Sequence, residues 1–212
     1  MPTMNSSPES PASDVVTGLV LAGGLGRRMG GVDKGLVPLA GRPMVEHVLA
    51  ALRPQVREVW INANRNQDRY AAYGHPVIED SVAGYLGPLA GVLSALQRLP
   101  TGYLLTVPCD APLLAPDLAA RMHAACLAAS ADLAVASDGT RQHPVFLLLR
   151  AGLAPTLAAY LDGGGRKIDA WFEQVRTVEV AFADQAETFV NVNDPDERAR
   201  VEARLLSSRR PT

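Results

Sequence analysis

Between Val15 and Lys34 the chain reads VVTGLVLAGGLGRRMGGVDK. Glycines at 23, 24, 26, 30 and 31 lie among the cations Arg27, Arg28 and Lys34. Residues without bulky side chains let backbone amides press close to a ligand, and fixed positive charge beside them favours an anion, most naturally a phosphate chain. Two common phosphate loops do not fit. A dinucleotide fingerprint starting at Gly24 requires glycine where Met29 stands, and a Walker loop requires Gly-Lys-Ser/Thr where the chain has Asp33-Lys34-Gly35. The bland alternative is a glycine-rich surface turn with incidental arginines.

Other polar residues stand where apolar runs end. Tyr103–Pro108 is followed by Cys109-Asp110-Ala111-Pro112. A carboxylate delivered at the carboxyl end of a buried strand suits Mg²⁺, which takes few protein ligands and keeps phosphate oxygens and waters for the rest. The alternative for Asp110 is an Asx turn before Pro112. Glu58–Asn62 ends in an amide that is, on position alone, equally a base or ribose contact or the cap of a helix starting near Gln67. Asp80 follows Pro76–Ile78 in the same way, as a nucleotide contact or a solvated acid. Asn191 and Asn193 share a face if Phe189–Asn193 is a strand, and two amides on one face can read a heteroaromatic ring. His143 either faces an acceptor or is structural. Gly163-Gly164-Gly165-Arg166-Lys167 is either a phosphate clamp or a linker with a solvated charge pair.

At Leu21-Ala22-Gly23-Gly24, Arg28-Met29-Gly30-Gly31 and Asp33-Lys34-Gly35 the chain resembles the nucleotidyltransferases, and the Arg28-to-Lys34 spelling resembles the molybdenum cofactor guanylyltransferases. The resemblance spans about Thr17 to Glu197. It implies a three-layer α/β/α Rossmann-like nucleotidyltransferase fold and transfer of GMP from GTP to molybdenum-molybdopterin, with Mg²⁺ as cofactor. It places the nucleotide on Leu21, Ala22, Gly23, Gly24, Lys34, Asn62, Asp80 and Asp110, and the pterin on Gly31, Gly87, Gly91, Asn191 and Asn193. Lys34, Arg28 and Asp110 are the expected catalytic set, with Asp110 holding the metal. It also implies transient contact with molybdoenzymes and other proteins of cofactor biosynthesis. A molybdopterin cytidylyltransferase, a sugar-phosphate nucleotidyltransferase and a non-catalytic nucleotide-binding adaptor are the rivals.

Several elements must position these residues. The apolar run Val15–Leu21, broken only by Thr17 and Gly18, has the profile of a strand covered on both faces in a parallel sheet. Pro43 opens a helix with Val45, Val48, Leu49 and Leu52 on one face, ended by Pro54. Gly87-Pro88 starts a second helix that stops before Pro100, and Pro116–Ala129 a third. Asp132–Ala136, the turn Asp138-Gly139-Thr140 and Pro144–Leu149 form a hairpin, which puts one antiparallel strand into a mostly parallel sheet. Further along come a helix over Gly152–Leu161, one containing Trp171 and Phe172, a strand at Val178–Val180, and a final helix capped by Asp194, with Pro195 first and Glu197 third.

The 212 residues fit one domain, expected over 15–206, with a disordered tail at 1–14 and a frayed end at 207–212. A net charge of −2 argues against a general nucleic-acid binder. No apolar run approaches the roughly 20 residues of a membrane helix. Cys109 and Cys126 suggest neither a disulfide framework nor a zinc site, which suits a reducing cytoplasm. Cys109 itself is expected to be inert packing.

Overall fold

Strand β1, Val16–Leu21, lies inside the sheet, parallel to β4 (Glu58–Asn62) on one side and to β6 (Tyr103–Pro108) on the other. Having a neighbour on each edge and helices on each face is why its sequence is mostly apolar, with Thr17 its one polar side chain. The computed structural model describes residues 12–22, 33–81 and 87–207. The expected site residues Gly23, Gly24, Arg28 and Gly31, and most of the expected N-terminal tail, lie outside the described residues. Ala12–Val15 forms a single helical turn, α1, just ahead of β1, so its last residue is helical where a strand was expected.

The seven-stranded sheet has the order β5-β4-β1-β6-β8-β7-β9, with β5 at Val77–Ile78, β7 at Leu133–Ser137, β8 at Gln142–Arg150 and β9 at Thr177–Ala181. Strand β8 runs antiparallel to both neighbours, β6 and β7, and β9 is parallel to β7. The expected hairpin and single antiparallel strand are both present. Thr106 fastens the junction, donating its hydroxyl to the Val145 carbonyl at 2.8 Å and accepting from the Leu147 amide at 3.2 Å.

Side chains alternate between two covered faces. Val16, Val20, Ile61, Leu105 and Val107 pack in one core with residues of α2 (Met44–Leu52) and α5 (Leu118–Ala128). Leu19, Leu104, Leu147 and Leu149 pack in the other with residues of α4 (Pro88–Arg98), α6 (Ala154–Asp162) and α7 (Ile168–Phe172). Gly18 lets α2 approach: a Cβ there would lie 2.8 Å from Leu52 Cδ2.

Two expectations fail locally. Pro43 is not the first helical residue; it ends β3 (Arg42–Pro43), which pairs with β2 (Pro38–Leu39) in a small hairpin ahead of α2. Phe189–Asn193 is not a strand either. Ala183–Phe189 is a kinked 3₁₀ segment, and residues 190–193 leave it as extended chain fastened to the sheet by the Val192 amide donating to the Asp110 carbonyl at 2.9 Å. The alternation argument for Asn191 and Asn193 therefore does not apply. The last helix, α8 (Pro195–Ser207), packs Val201 with Val192 against Leu39 and Met44 of the hairpin and α2.

Candidate functional site

Strand order reverses at β1: the chain moves out through β4 and β5 and then returns to place β6 on β1's other edge. Open α/β sheets form their binding crevice at the carboxyl ends of the strands flanking such a point. Leu21, Asn62, Ile78 and Pro108 are the last residues of β1, β4, β5 and β6, so most of the expected residues gather at one edge of the sheet. The Ala22 amide donates to the Asn62 carbonyl at 2.9 Å and the Cys109 amide to the Leu21 carbonyl at 3.1 Å, extending both ladders past the strand ends.

On the β6 side, Lys34 Nζ donates to Asp110 Oδ2 at 3.0 Å and to Asn193 Oδ1 at 2.6 Å. The Asp110 side chain is 13% exposed and that of Lys34 29%, so the pair is shielded yet reachable. The three residues are 76 and 159 positions apart in sequence, counted from Lys34. Asn193 is held in turn by its own amide, which donates to Glu197 Oε2 at 2.8 Å, while the Glu197 amide donates to Asp194 Oδ1 at 2.8 Å. Asp194 caps α8 as expected, with the Glu197 side chain reaching back one residue beyond the cap. Asn191 instead keeps a buried Oδ1 without a protein partner, and its carbonyl accepts from Asn193 Nδ2 at 3.3 Å.

On the β4 side, Asn62 is buried and does not cap α3 (Gln67–Ala71). Its Nδ2 donates to the Ile78 carbonyl at 3.1 Å and to Asp80 Oδ1 at 2.9 Å. Asn64 completes a clamp: its Nδ2 donates to Asp80 Oδ2 at 2.8 Å and its Oδ1 accepts from the Asp80 amide at 2.9 Å. Asn64 was missed in the sequence, although its spacing of two from Asn62 was the available signal. Each carboxylate oxygen retains lone pairs beyond these bonds, so Asp80 can still accept from a ligand.

Gly91 belongs with this group and not with Asn191 and Asn193: a Cβ on it would lie 2.2 Å from Asn62 Oδ1. Gly87 precedes α4 with φ +72 and open space around it, a backbone conformation that favours glycine.

Asp33 was not singled out from sequence. It stands at the N-cap position of the 3₁₀ turn Lys34–Leu36 without capping it. Its Oδ1 accepts from the Tyr70 hydroxyl at 2.5 Å and its Oδ2 from Asn66 Nδ2 at 2.9 Å. Burial, with Cys109 and Asp33 adding, pushes the Tyr70 phenol far above its ordinary range, so it remains a donor. Burial and the adjacent Asp110 charge likewise push the Cys109 thiol up, leaving it unreactive packing.

The remaining candidates are occupied elsewhere. The His143 ring bonds Asp138 Oδ2 at 2.9 Å and stacks on Phe189 at 4.2 Å. Arg166 Nη1 donates to the Leu161 carbonyl at 2.9 Å, closing the end of α6, and Gly165 sits against the Tyr160 ring. Among the described residues no cluster of three or more His, Cys, Asp or Glu could hold a metal, and no helix is long and apolar enough to cross a membrane.

Residues 18–180 match the MobA-like NTP transferase domain family. The molybdenum cofactor guanylyltransferase of Shewanella sp. (strain MR-4) is 51% identical over 193 residues, covering 91% of this chain and 98% of that protein. That of Shewanella halifaxensis is 52% identical over 186 residues, covering 88% and 93%. Among solved structures, molybdopterin-guanine dinucleotide biosynthesis protein A of Archaeoglobus fulgidus superimposes with a TM-score of 0.75 at 24% identity, over 90% of this chain and 99% of that one, which shows the shared fold. With a shielded lysine–aspartate pair and an amide-clamped carboxylate at the strand ends, and relatives of this closeness, the chain belongs to the MobA-like NTP transferases, a nucleotidyltransferase in the molybdenum cofactor guanylyltransferase family.

Proposed function

We propose that this enzyme transfers GMP from GTP to molybdenum-molybdopterin, forming the guanine dinucleotide cofactor and releasing pyrophosphate. The observation that carries it is Lys34, whose ammonium sits 3.0 Å from the Asp110 carboxylate and 2.6 Å from Asn193. One cation there joins the end of the glycine loop, the acid after β6 and the segment before α8. The acceptor's terminal phosphate is already an anionic nucleophile. Its oxygen bonds to the α-phosphorus of GTP as the bond to the β-bridging oxygen breaks, and the pyrophosphate leaves with that electron pair. No general base is required; alignment and charge neutralisation are.

Asp110 fits Mg²⁺. It is a single shielded carboxylate beside Lys34, and both oxygens of Asp33, the acid next to Lys34 in the chain, are engaged by Tyr70 and Asn66. One protein ligand suffices for an ion that is otherwise held by phosphates and water. When bound, Mg²⁺ would supply charge neutralisation on the nucleotide phosphates. Lys34 then turns its ammonium to the phosphates, Arg28 and the amides of Gly23 and Gly24 hold the phosphate chain, and Asn62 and Asp80 take the guanosine. Gly31, Gly87, Asn191 and Asn193 form the acceptor side, and Gly91 serves the nucleotide side through Asn62. Finished cofactor then passes to recipient molybdoenzymes by transient contact, in the cytoplasm.

A carboxylate fixed by two amides favours guanine, whose Watson–Crick edge offers two N–H donors, over cytosine, whose edge offers one. The lysine–aspartate pair argues against a non-catalytic adaptor. The test is product formation from molybdenum-molybdopterin and Mg²⁺ with GTP and CTP side by side, following dinucleotide and pyrophosphate, with Asp110→Ala as control. Guanine dinucleotide from the wild type and none from the variant is expected. Product only with CTP, or undiminished turnover by Asp110→Ala, would overturn the assignment.

A further inference from the structure

Lys34 is flanked by two residues that both meet one buried side chain. Before it, Asp33 accepts the Tyr70 hydroxyl. After it, Gly35 leaves room for the same hydroxyl: a Cβ at 35 would lie 2.6 Å from Tyr70 Oη and 3.3 Å from Cys109 Cβ. Tyr70 has no exposed surface, and it is carried by α3, a separate element behind the site. An aspartate directly before a helical turn ordinarily caps it. This one leaves the turn uncapped and gives both oxygens to α3 and its entry, the second to Asn66, which holds a left-handed φ of +51. Asx residues tolerate that conformation better than most.

We propose that Tyr70, assisted by Asn66, is a positioning residue for the reacting lysine. It pins the backbone on both sides of Lys34, so that the flexible side chain between them starts from a fixed root and projects to Asp110. The inference rests on the function proposed above for its kinetic consequence, but its geometric content does not. A long lysine chain spends entropy each time it is placed; a rooted Cα shortens the search and fixes where the ammonium can reach.

The experiment uses Tyr70→Phe in the full chain, which removes one oxygen and keeps the ring. For guanylyl transfer, kcat is expected to fall about 10- to 100-fold, the scale on which a misplacement of about 1 Å acts, with the larger share of the loss in kcat and not in the KM for GTP. In a Lys34→Ala background Tyr70→Phe should cost nothing further, because it acts through that lysine. A separate readout needs no turnover. The chain has lysines at 34 and 167 only, so limited acetylation with mass spectrometry can follow Lys34 against Lys167 as an internal standard. Tyr70→Phe should speed the acetylation of Lys34 relative to Lys167 by releasing it from Asp110. Asn66→Ala, an exposed change that spares the buried ring, should shift both readouts the same way and less. Unchanged kcat, additive losses with Lys34→Ala, or an unchanged labelling ratio would overturn the proposal. A wild type that makes no product would instead overturn the assigned reaction, while the labelling ratio still decides Tyr70.

Discussion

Gly91→Ala should destabilise this protein, against the usual expectation for a glycine in a helix. In α4, exchanging glycine for alanine ordinarily gains up to about 1 kcal/mol. Here the new methyl would lie 2.2 Å from Asn62 Oδ1 and 2.5 Å from Asn62 Cγ, where ordinary contact begins at 3.4 Å. The amide must retreat by about 1 Å, the order of the overlap. That breaks its 3.1 Å bond to the Ile78 carbonyl and its 2.9 Å bond to Asp80. Leaving a buried amide and its partners unsatisfied costs about 1–3 kcal/mol per group, and the bond to Asp80 is charge-assisted. Two such losses, about 2–6 kcal/mol, less a helical gain of about 1 kcal/mol, leave a net destabilisation of about 1–5 kcal/mol, or roughly 2–20 °C in Tm for a chain of this length.

The sign should depend on residue 62. In an Asn62→Ala background the obstructing atoms are gone, so Gly91→Ala should become stabilising by up to about 1 kcal/mol. Urea denaturation of the four proteins closes the cycle, with an expected coupling equal to the two lost interactions, about 2–6 kcal/mol. Kinetically, Gly91→Ala should raise the KM for GTP and leave that for the pterin acceptor near its wild-type value. A variant that is more stable than wild type, or one with the acceptor KM raised and that for GTP unmoved, would refute the placement of Gly91 beside the nucleotide.

Three further outcomes are expected. Lys34→Ala should lower kcat by about 10²-fold or more while shifting Tm by only a few degrees, because the exposed part of a salt bridge contributes little to stability; equal losses in both would make the lysine structural, and kinetics beside calorimetry separates the cases. The Ala40 amide donates to Glu202 Oε1 at 2.9 Å and, with Arg198 nearby, holds that carboxyl below its ordinary value. Its contribution is then present above the unfolded value and lost as pH falls through the depressed folded one, so between about pH 5 and 3 the wild type should lose more stability than Glu202→Gln, as measured by urea midpoints at each pH. Ala40 and Gly41 form the two-residue turn of the β2–β3 hairpin with φ of +47 and +80, a geometry that suits Asn-Gly; Ala40→Asn should therefore raise stability by about 0.5–1 kcal/mol on thermal melting and leave turnover unchanged.

How far the sequence discloses this molecule follows from the range of each force. The β1 and β6 runs are readable because burial on both faces favours largely apolar stretches, and Asp194 and Glu197 because capping acts over three residues. The segment 189–193 misleads because its alternation mimics a strand, whereas its backbone is fastened to the Asp110 carbonyl by a single amide and not by a ladder. Asn62 is undecided in sequence because a cap and a ligand contact ask for the same side chain; only the arrival of Ile78 on β5 and of Asp80 just after it settles where its amide points. Gly91 and Gly35 look alike as small residues, yet what each makes room for, Asn62 in one case and Tyr70 in the other, is set by elements 29 and 35 residues away (91 − 62 and 70 − 35).

That contrast also explains why the site tolerates such a spread in sequence. Three side chains at the site are each held by two partners: Lys34 by Asp110 and Asn193, Asp80 by Asn62 and Asn64, Asp33 by Tyr70 and Asn66. A flexible lysine or carboxylate with one partner can swing about it; a second partner at a different angle removes the swing before substrate arrives. Preorganisation of this kind lowers the reorganisation needed as charge shifts on the α-phosphate, and it places the requirement on pairs of residues and not on the loop alone. A graft of the glycine loop onto another α/β sheet should accordingly bind nucleotide phosphates yet transfer nothing until Asp110 after β6 and the Tyr70–Asp33 root are carried with it.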